Sequence, residues 1–99
     1  VRVVGISVDP AADSRVLRER LGLNFPLLTD EGVAVAAAYG VAMKGQDLAV
    51  PSTFVVMPSR EVFWRYVGET PADRPGKLAV LEHVEAALAE LAKHPSAAP

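Results

Sequence analysis

Residues 1–8 are apolar at most positions and rich in β-branched side chains (Val1, Val3, Val4, Ile6, Val8). That is the pattern of a parallel strand covered on both faces, since a strand with one wet face would alternate. The run opens with no cap, turn or polar lead-in, so Val1 reads as a truncation point. Asp9-Pro10 closes the strand, and Asp13 or Ser14 caps a helix that runs to about Leu21 and is stopped by Gly22. Val16, Leu17 and Leu21 then face the sheet, and Arg15, Arg18, Glu19 and Arg20 face water. Residues 25–28 form a short strand, reached by a right-handed crossover and therefore parallel to the first. Asp30 and Glu31 favour a helix N-terminus, and the alanine-rich residues 33–39 form a second helix ended by Gly40.

Residues 41–49, with Lys44, Gly45, Gln46 and Asp47, read as an exposed loop. Residues 53–57 and 61–67 are strands joined by Pro58-Ser59-Arg60, a hairpin with antiparallel pairing. Residues 68–76 are a polar connection. A last helix spans about 77–93, with Leu78, Leu81, Val84, Leu88 and Leu91 on one stripe at three- and four-residue spacing. His94-Pro95 ends it, and residues 95–99 read as a disordered tail. The predicted order is β-α-β-α-β-β-α within one α/β domain over residues 1–94, with no repeat and no interdomain linker.

Composition narrows the chemistry. Ninety-nine residues with 51% hydrophobic content suit one small globular core. Ten basic against twelve acidic residues leave a net charge of -2. Neither nucleic acid nor an anionic membrane is therefore expected as a partner, since both call for a basic face. No apolar run is long enough to span a bilayer, and the expected compartment is the cytoplasm. The chain has no cysteine, so disulfides and thiolate metal sites are excluded. His83 and His94 lack a partner ligand at helical spacing, and no glycine-rich phosphate loop is present; no metal and no cofactor are expected. Ser7, Ser14, Ser52 and Ser59 show no nucleophile elbow, and Asp9 reads as a turn residue rather than a base.

The stretch Val50-Pro51-Ser52-Thr53-Phe54-Val55-Val56 stands apart. Proline lacks an N–H and fixes φ, so it can open a strand but not sit inside a central one. Val50 before it is pushed toward extended geometry. A cis Val50–Pro51 bond would turn the backbone sharply and present the N–H and C=O of Val50 to an extended peptide.

This stretch resembles the cis-proline loop of thioredoxin-fold proteins. Val3-Val4-Gly5-Ile6-Ser7-Val8-Asp9, Phe25-Pro26-Leu27-Leu28-Thr29-Asp30, Ala37-Ala38-Tyr39-Gly40-Val41 and Phe63-Trp64-Arg65-Tyr66-Val67-Gly68 extend the resemblance to the AhpC/TSA and redoxin branch. Together the blocks cover most of residues 1–91. The resemblance implies a thioredoxin-like three-layer α/β fold that lacks its central first strand and first helix, the unit that carries the family's reactive cysteine. It also implies a gap between the strands matched by residues 1–8 and 53–56. Three fillings are expected: a strand from another chain, antiparallel pairing of the two orphan strands, or a segment outside these residues.

In function, the resemblance implies a thiol-dependent antioxidant oxidoreductase acting on a peroxide or on a protein or small-molecule disulfide, with a thioredoxin-like reductant. Homo-oligomers or a strand-swapped dimer are expected as assemblies. Substrate would meet Val50, Pro51 and Ser52, with Trp64 and Arg65 behind them; Trp64 and Tyr66 would pack beneath the last helix. Pro51 stands where a typical family peroxidase carries an arginine, which shifts the expectation toward disulfide exchange. Glu69, Asp73 and Arg74 match a Gly-Glu…Ala-Asp-Arg-Pro segment of some redoxin-domain proteins and read structurally as a salt-bridged loop. Without a cysteine the chain itself is expected to be redox-inactive, with no catalytic residue of its own. The alternative is a cysteine-free thioredoxin-like module that binds proteins through the Pro51 loop.

Overall fold

A computed structural model describes residues 1–43 and 45–93. The chain is mixed α/β and divides into two compact units, Val1–Val50 and Pro51–Pro99. The ends expected at His94-Pro95 and in the tail 95–99, like Lys44, lie outside the described residues.

The first unit carries strand β1 (Gly5–Ser7), helix α1 (Ala11–Leu21), strand β2 (Leu27–Thr29), a 3-10 turn (Glu31–Val33) and helix α2 (Ala34–Ala38). β1 and β2 pair in parallel, with Gly5 opposite Leu27, Ile6 opposite Leu28 and Ser7 opposite Thr29. β1 is shorter than the apolar run suggests, and Val1, Val3, Val4 and Ile6 are exposed rather than covered on both faces. The reason is local: α1 packs on β2, and the opposite face, where Ile6 and Leu28 sit side by side, is covered by no element of this unit.

α1 begins one turn earlier than expected, with Pro10 at the N-cap position and no side-chain cap. Proline suits a helix start because its missing N–H would go unsatisfied there anyway. Gly22 adopts left-handed geometry (φ 62°) and ends the helix by donating to Glu19 O, while Leu23 N–H bonds Arg18 O. Of the three residues expected to face the sheet, Leu17 is half-buried, but Val16 and Leu21 are exposed, and the buried residue of the helix is Ser14. With only two short strands beneath it, α1 has room to bury one narrow stripe.

Asp30 organises the second half of this unit. It is 5% exposed, and its two carboxylate oxygens accept the N–H groups of Val35 and Ala36, each at 2.9 Å. Its own N–H bonds Ser7 O at 2.7 Å, tying β1 to the start of α2. To reach that cap the backbone passes through two successive left-handed residues, Gly32 (φ 65°) and Val33 (φ 53°). The segment 41–50 is more ordered than a plain exposed loop: Ala42 bridges Ala49, Met43 N–H bonds Leu48 O, and Val50 N–H bonds Val41 O.

The second unit holds β3 (Ser52–Val56), β4 (Val62–Val67) and α3 (Lys77–Lys93). The hairpin is antiparallel as expected, with Ser52 opposite Val67 and Val55 opposite Trp64, and a bulge follows where Val56 meets Val62. Its turn is a three-residue loop: Arg60 N–H bonds Met57 O at 2.8 Å, Met57 N–H bonds Glu61 O at 2.9 Å, and Arg60 is left-handed (φ 75°). A glycine is the usual occupant of that last position.

α3 has the expected span, but its packed stripe is different. Val80, His83, Val84, Ala87 and Leu91 are buried or half-buried, whereas Leu78, Leu81 and Leu88 are exposed, Leu78 to 70%. One helix face cannot hold both sets, and stacking of His83 on Trp64 selects the first. β1 with β2, and β3 with β4, each make a two-stranded sheet, one in each unit.

Candidate functional site

Pro51 opens β3 as its missing N–H requires, and its carbonyl accepts the N–H of Gly68 at 2.7 Å. The Val50–Pro51 peptide is trans, since no peptide bond among the described residues is cis. This corrects the cis expectation. The trans form of an X-Pro bond is favoured by about 0.5–1 kcal/mol unless surrounding structure selects the other isomer. Val50, Pro51 and Ser52 are all half-buried. The N–H of Val50, expected to meet an incoming peptide, is donated to Val41 O at 2.7 Å.

The register places the other expected contributors. Trp64 lies opposite Val55 and Arg65 opposite Phe54, three to four residues along β3 from Pro51, or roughly 10–14 Å at strand rise. Trp64 points to α3, where its indole stacks on the His83 imidazole (centroids 4.2 Å apart, planes 14° apart). The expected packing of Trp64 beneath the last helix is thus observed. Arg65, exposed, takes the opposite face. The β4-end residue beside Pro51 is Gly68, and it has to be a glycine: a Cβ there would stand 2.9 Å from Asp73 O, 3.1 Å from Pro51 O and 3.3 Å from Thr70 O.

Gly68 is held from the other side by the turn that follows. Asp73 accepts the Tyr66 hydroxyl at 2.6 Å on one carboxylate oxygen and Glu69 N–H at 2.8 Å on the other, and its own N–H bonds Thr70 O at 3.1 Å. The Tyr66 hydroxyl, then the Glu69 N–H, hold the Asp73 carboxyl below the usual carboxylate range. The same hydrogen bond, with burial and the Asp73 charge, raises the Tyr66 phenol above its ordinary value. The salt-bridged loop expected here is corrected: the Arg74 guanidinium donates to the backbone carbonyls of Pro71 (2.9 Å) and Asp73 (3.0 Å). The segment is tied by Asx-type and backbone hydrogen bonds.

Sequence reading named Pro51 but passed over Gly68, Tyr66 and Asp73 as a unit. The signal available was the spacing of an aromatic hydroxyl, a glycine and an aspartate around a strand end. A groove of about 350 Å³, lined by Met57, Glu61, Phe63, Glu90 and Leu91 among others, lies at the hairpin end of the same unit. It is separated from Pro51 by the length of β3.

No helix among the described residues is long and apolar enough to cross a membrane. Among curated proteins, none matches the chain. The sequence model of the AhpC/TSA family does match, over residues 1–65. That interval takes in β1, α1, β2, the Asp30 cap, the proline at the head of β3 and most of β4. A match over that share of the sequence, on the elements that carry the parallel pair and the Pro51 strand, means that the chain belongs to the AhpC/TSA family.

Proposed function

We propose that these residues are part of a thiol-dependent redoxin of thioredoxin-like three-layer fold, lacking that fold's central first strand and first helix. The reaction is reduction of a peroxide or a disulfide by a cysteine thiolate that lies outside the 99 residues, since the chain has no cysteine and the thiolate is the nucleophile in such chemistry. A thioredoxin-like reductant would return the oxidised cysteine to the thiolate. The single observation that carries the reading is the family match running through Pro51 at the head of β3. Val50, Pro51 and Ser52 would form the wall against which the substrate lies, held in place by the Gly68 hydrogen bond. Exposure of Ile6 and Leu28 side by side on one sheet face supports a further element covering β1 and β2 in the complete fold.

The test compares the 99-residue chain with the longer product of its gene, assaying hydroperoxide and disulfide reduction in the presence of dithiothreitol. Activity in the longer product that is lost on Cys→Ser substitution, with none in the chain alone, is the expected result. Turnover by the chain alone would sink the proposal. A longer product without cysteine would do so as well and would favour the second reading, a thioredoxin-like protein-binding module, which the cysteine-free composition supports.

A further inference from the structure

The chain has one tryptophan and two tyrosines, and its structure joins Trp64 to Tyr66 and Tyr66 to a base. The two residues alternate on β4 and so share a face, with ring centroids 6.3 Å apart and planes inclined by 43°. One side of the indole is covered by His83, stacked at 4.2 Å. The Nδ1–H of His83 is donated to Ala79 O at 2.6 Å; a carbonyl can only accept, so this bond sets which ring nitrogen carries the proton. At the other end of the row, the Tyr66 hydroxyl donates to the Asp73 carboxylate at 2.6 Å, and Glu69 N–H fixes that carboxylate at 2.8 Å.

We propose that Trp64, Tyr66 and Asp73 form a one-electron relay that passes an oxidising equivalent from the indole to the phenol while Asp73 takes the phenolic proton. A phenol gives up an electron readily only if its proton leaves with it, because the phenol radical cation is a very strong acid. The short hydrogen bond supplies the acceptor before the electron moves. Such charge-assisted O–H···O⁻ contacts are short and strong, and the direction of both ionisations, phenol up and carboxylate down, agrees with a neutral Tyr66 facing an ionised Asp73.

The step balances as follows. A one-electron oxidising radical such as azidyl takes an electron from the Trp64 indole and becomes azide, and the indole N–H proton goes to solvent. Tyr66 then gives one electron to the indolyl radical and its proton to Asp73. The indole recovers a proton from solvent. The net products are azide, a Tyr66 phenoxyl radical and protonated Asp73, with Trp64 unchanged. The relay would let a radical leave the only tryptophan of a chain that has no thiol to quench it.

The test is pulse radiolysis of the 99-residue chain with azidyl radical, following decay of the indolyl absorption and growth of the phenoxyl absorption. First-order transfer independent of protein concentration is expected. Tyr39→Phe should leave it unchanged, and Tyr66→Phe should slow it at least about tenfold. Asp73→Asn, whose amide can accept a hydrogen bond but not keep the proton, should slow it comparably and make the rate depend on the concentration of buffer base. Transfer that survives Tyr66→Phe, disappears in Tyr39→Phe or scales with protein concentration would overturn the relay. Should Tyr66→Phe fail to fold by circular dichroism, the other two variants decide: an unchanged rate in Asp73→Asn, or a lost one in Tyr39→Phe, overturns it.

Discussion

Gly68 donates its N–H to the carbonyl of Pro51 at 2.7 Å, and the space beside its Cα is occupied by the carbonyl oxygens of Asp73 and Thr70 as well as that of Pro51. The residue just after β4 thus sets where the residue at the head of β3 can lie. Backbone oxygens cannot rotate away as a flexible side chain would, so added volume at position 68 must move a strand end or the 69–73 turn.

Gly68→Ala should therefore destabilise the second unit by about 1–3 kcal/mol, the usual cost of forcing a methyl into a filled site. Urea unfolding followed by Trp64 fluorescence measures it. A midpoint equal to that of the unsubstituted chain would show that the turn yields.

Removing the Asp30 cap should loosen the first unit. Asp30→Ala leaves the N–H groups of Val35 and Ala36, now bonded at 2.9 Å each, without their acceptor, at a cost of about 1–2 kcal/mol. Amide hydrogen exchange at Val35 and Ala36 should quicken, while exchange in β3 and β4 stays as it was.

Among the described residues, two that are not glycine hold left-handed backbone, Val33 (φ 53°) and Arg60 (φ 75°). For a β-branched side chain this is a strained state, while glycine adopts it freely. Arg60→Gly should raise stability by roughly 0.5–1 kcal/mol, and Val33→Gly by a similar amount, since the relief of strain exceeds the entropy glycine adds to the unfolded chain. Thermal unfolding midpoints that fall in both variants would contradict the assignment.

Stability of the second unit should depend on pH at both ends of the range through one hydrogen bond. The Asp73 carboxyl is lowered when folded, so its contribution is complete above the unfolded carboxylate value and lost as pH falls through the folded one. The Tyr66 phenol is raised when folded; its contribution is complete below the unfolded phenol value and lost as pH rises through the folded one. Asp73→Asn should flatten both limbs. Equal slopes in the two proteins, measured by urea unfolding across pH, would show that this pair does not govern them.

Local patterns carried much of the fold. β-Branched and aromatic runs marked β3 and β4, the 17 residues of α3 were legible end to end, and Gly22, Asp30 and Pro51 announced a helix stop, a helix N-terminus and a strand start through their own local chemistry. These features need only neighbours within a few residues. Which face of an element is covered depends on what packs against it from far along the chain. So Val16, Leu21, Leu78, Leu81 and Leu88, all apolar and at helical spacing, point to water, while Ser14 and His83 take the packed positions.

The candidate site divides in the same way. That Pro51 must open a strand follows from its ring and its missing N–H. The tertiary structure alone decided that the bond before it is trans, that Val50 N–H is spent on Val41, and that the Pro51 carbonyl is fixed by Gly68, seventeen residues on. It also decided that Tyr66, Glu69 and Asp73 close around that glycine. Hydrogen-bond partners of this kind are chosen by strand register and turn geometry, which no single position encodes.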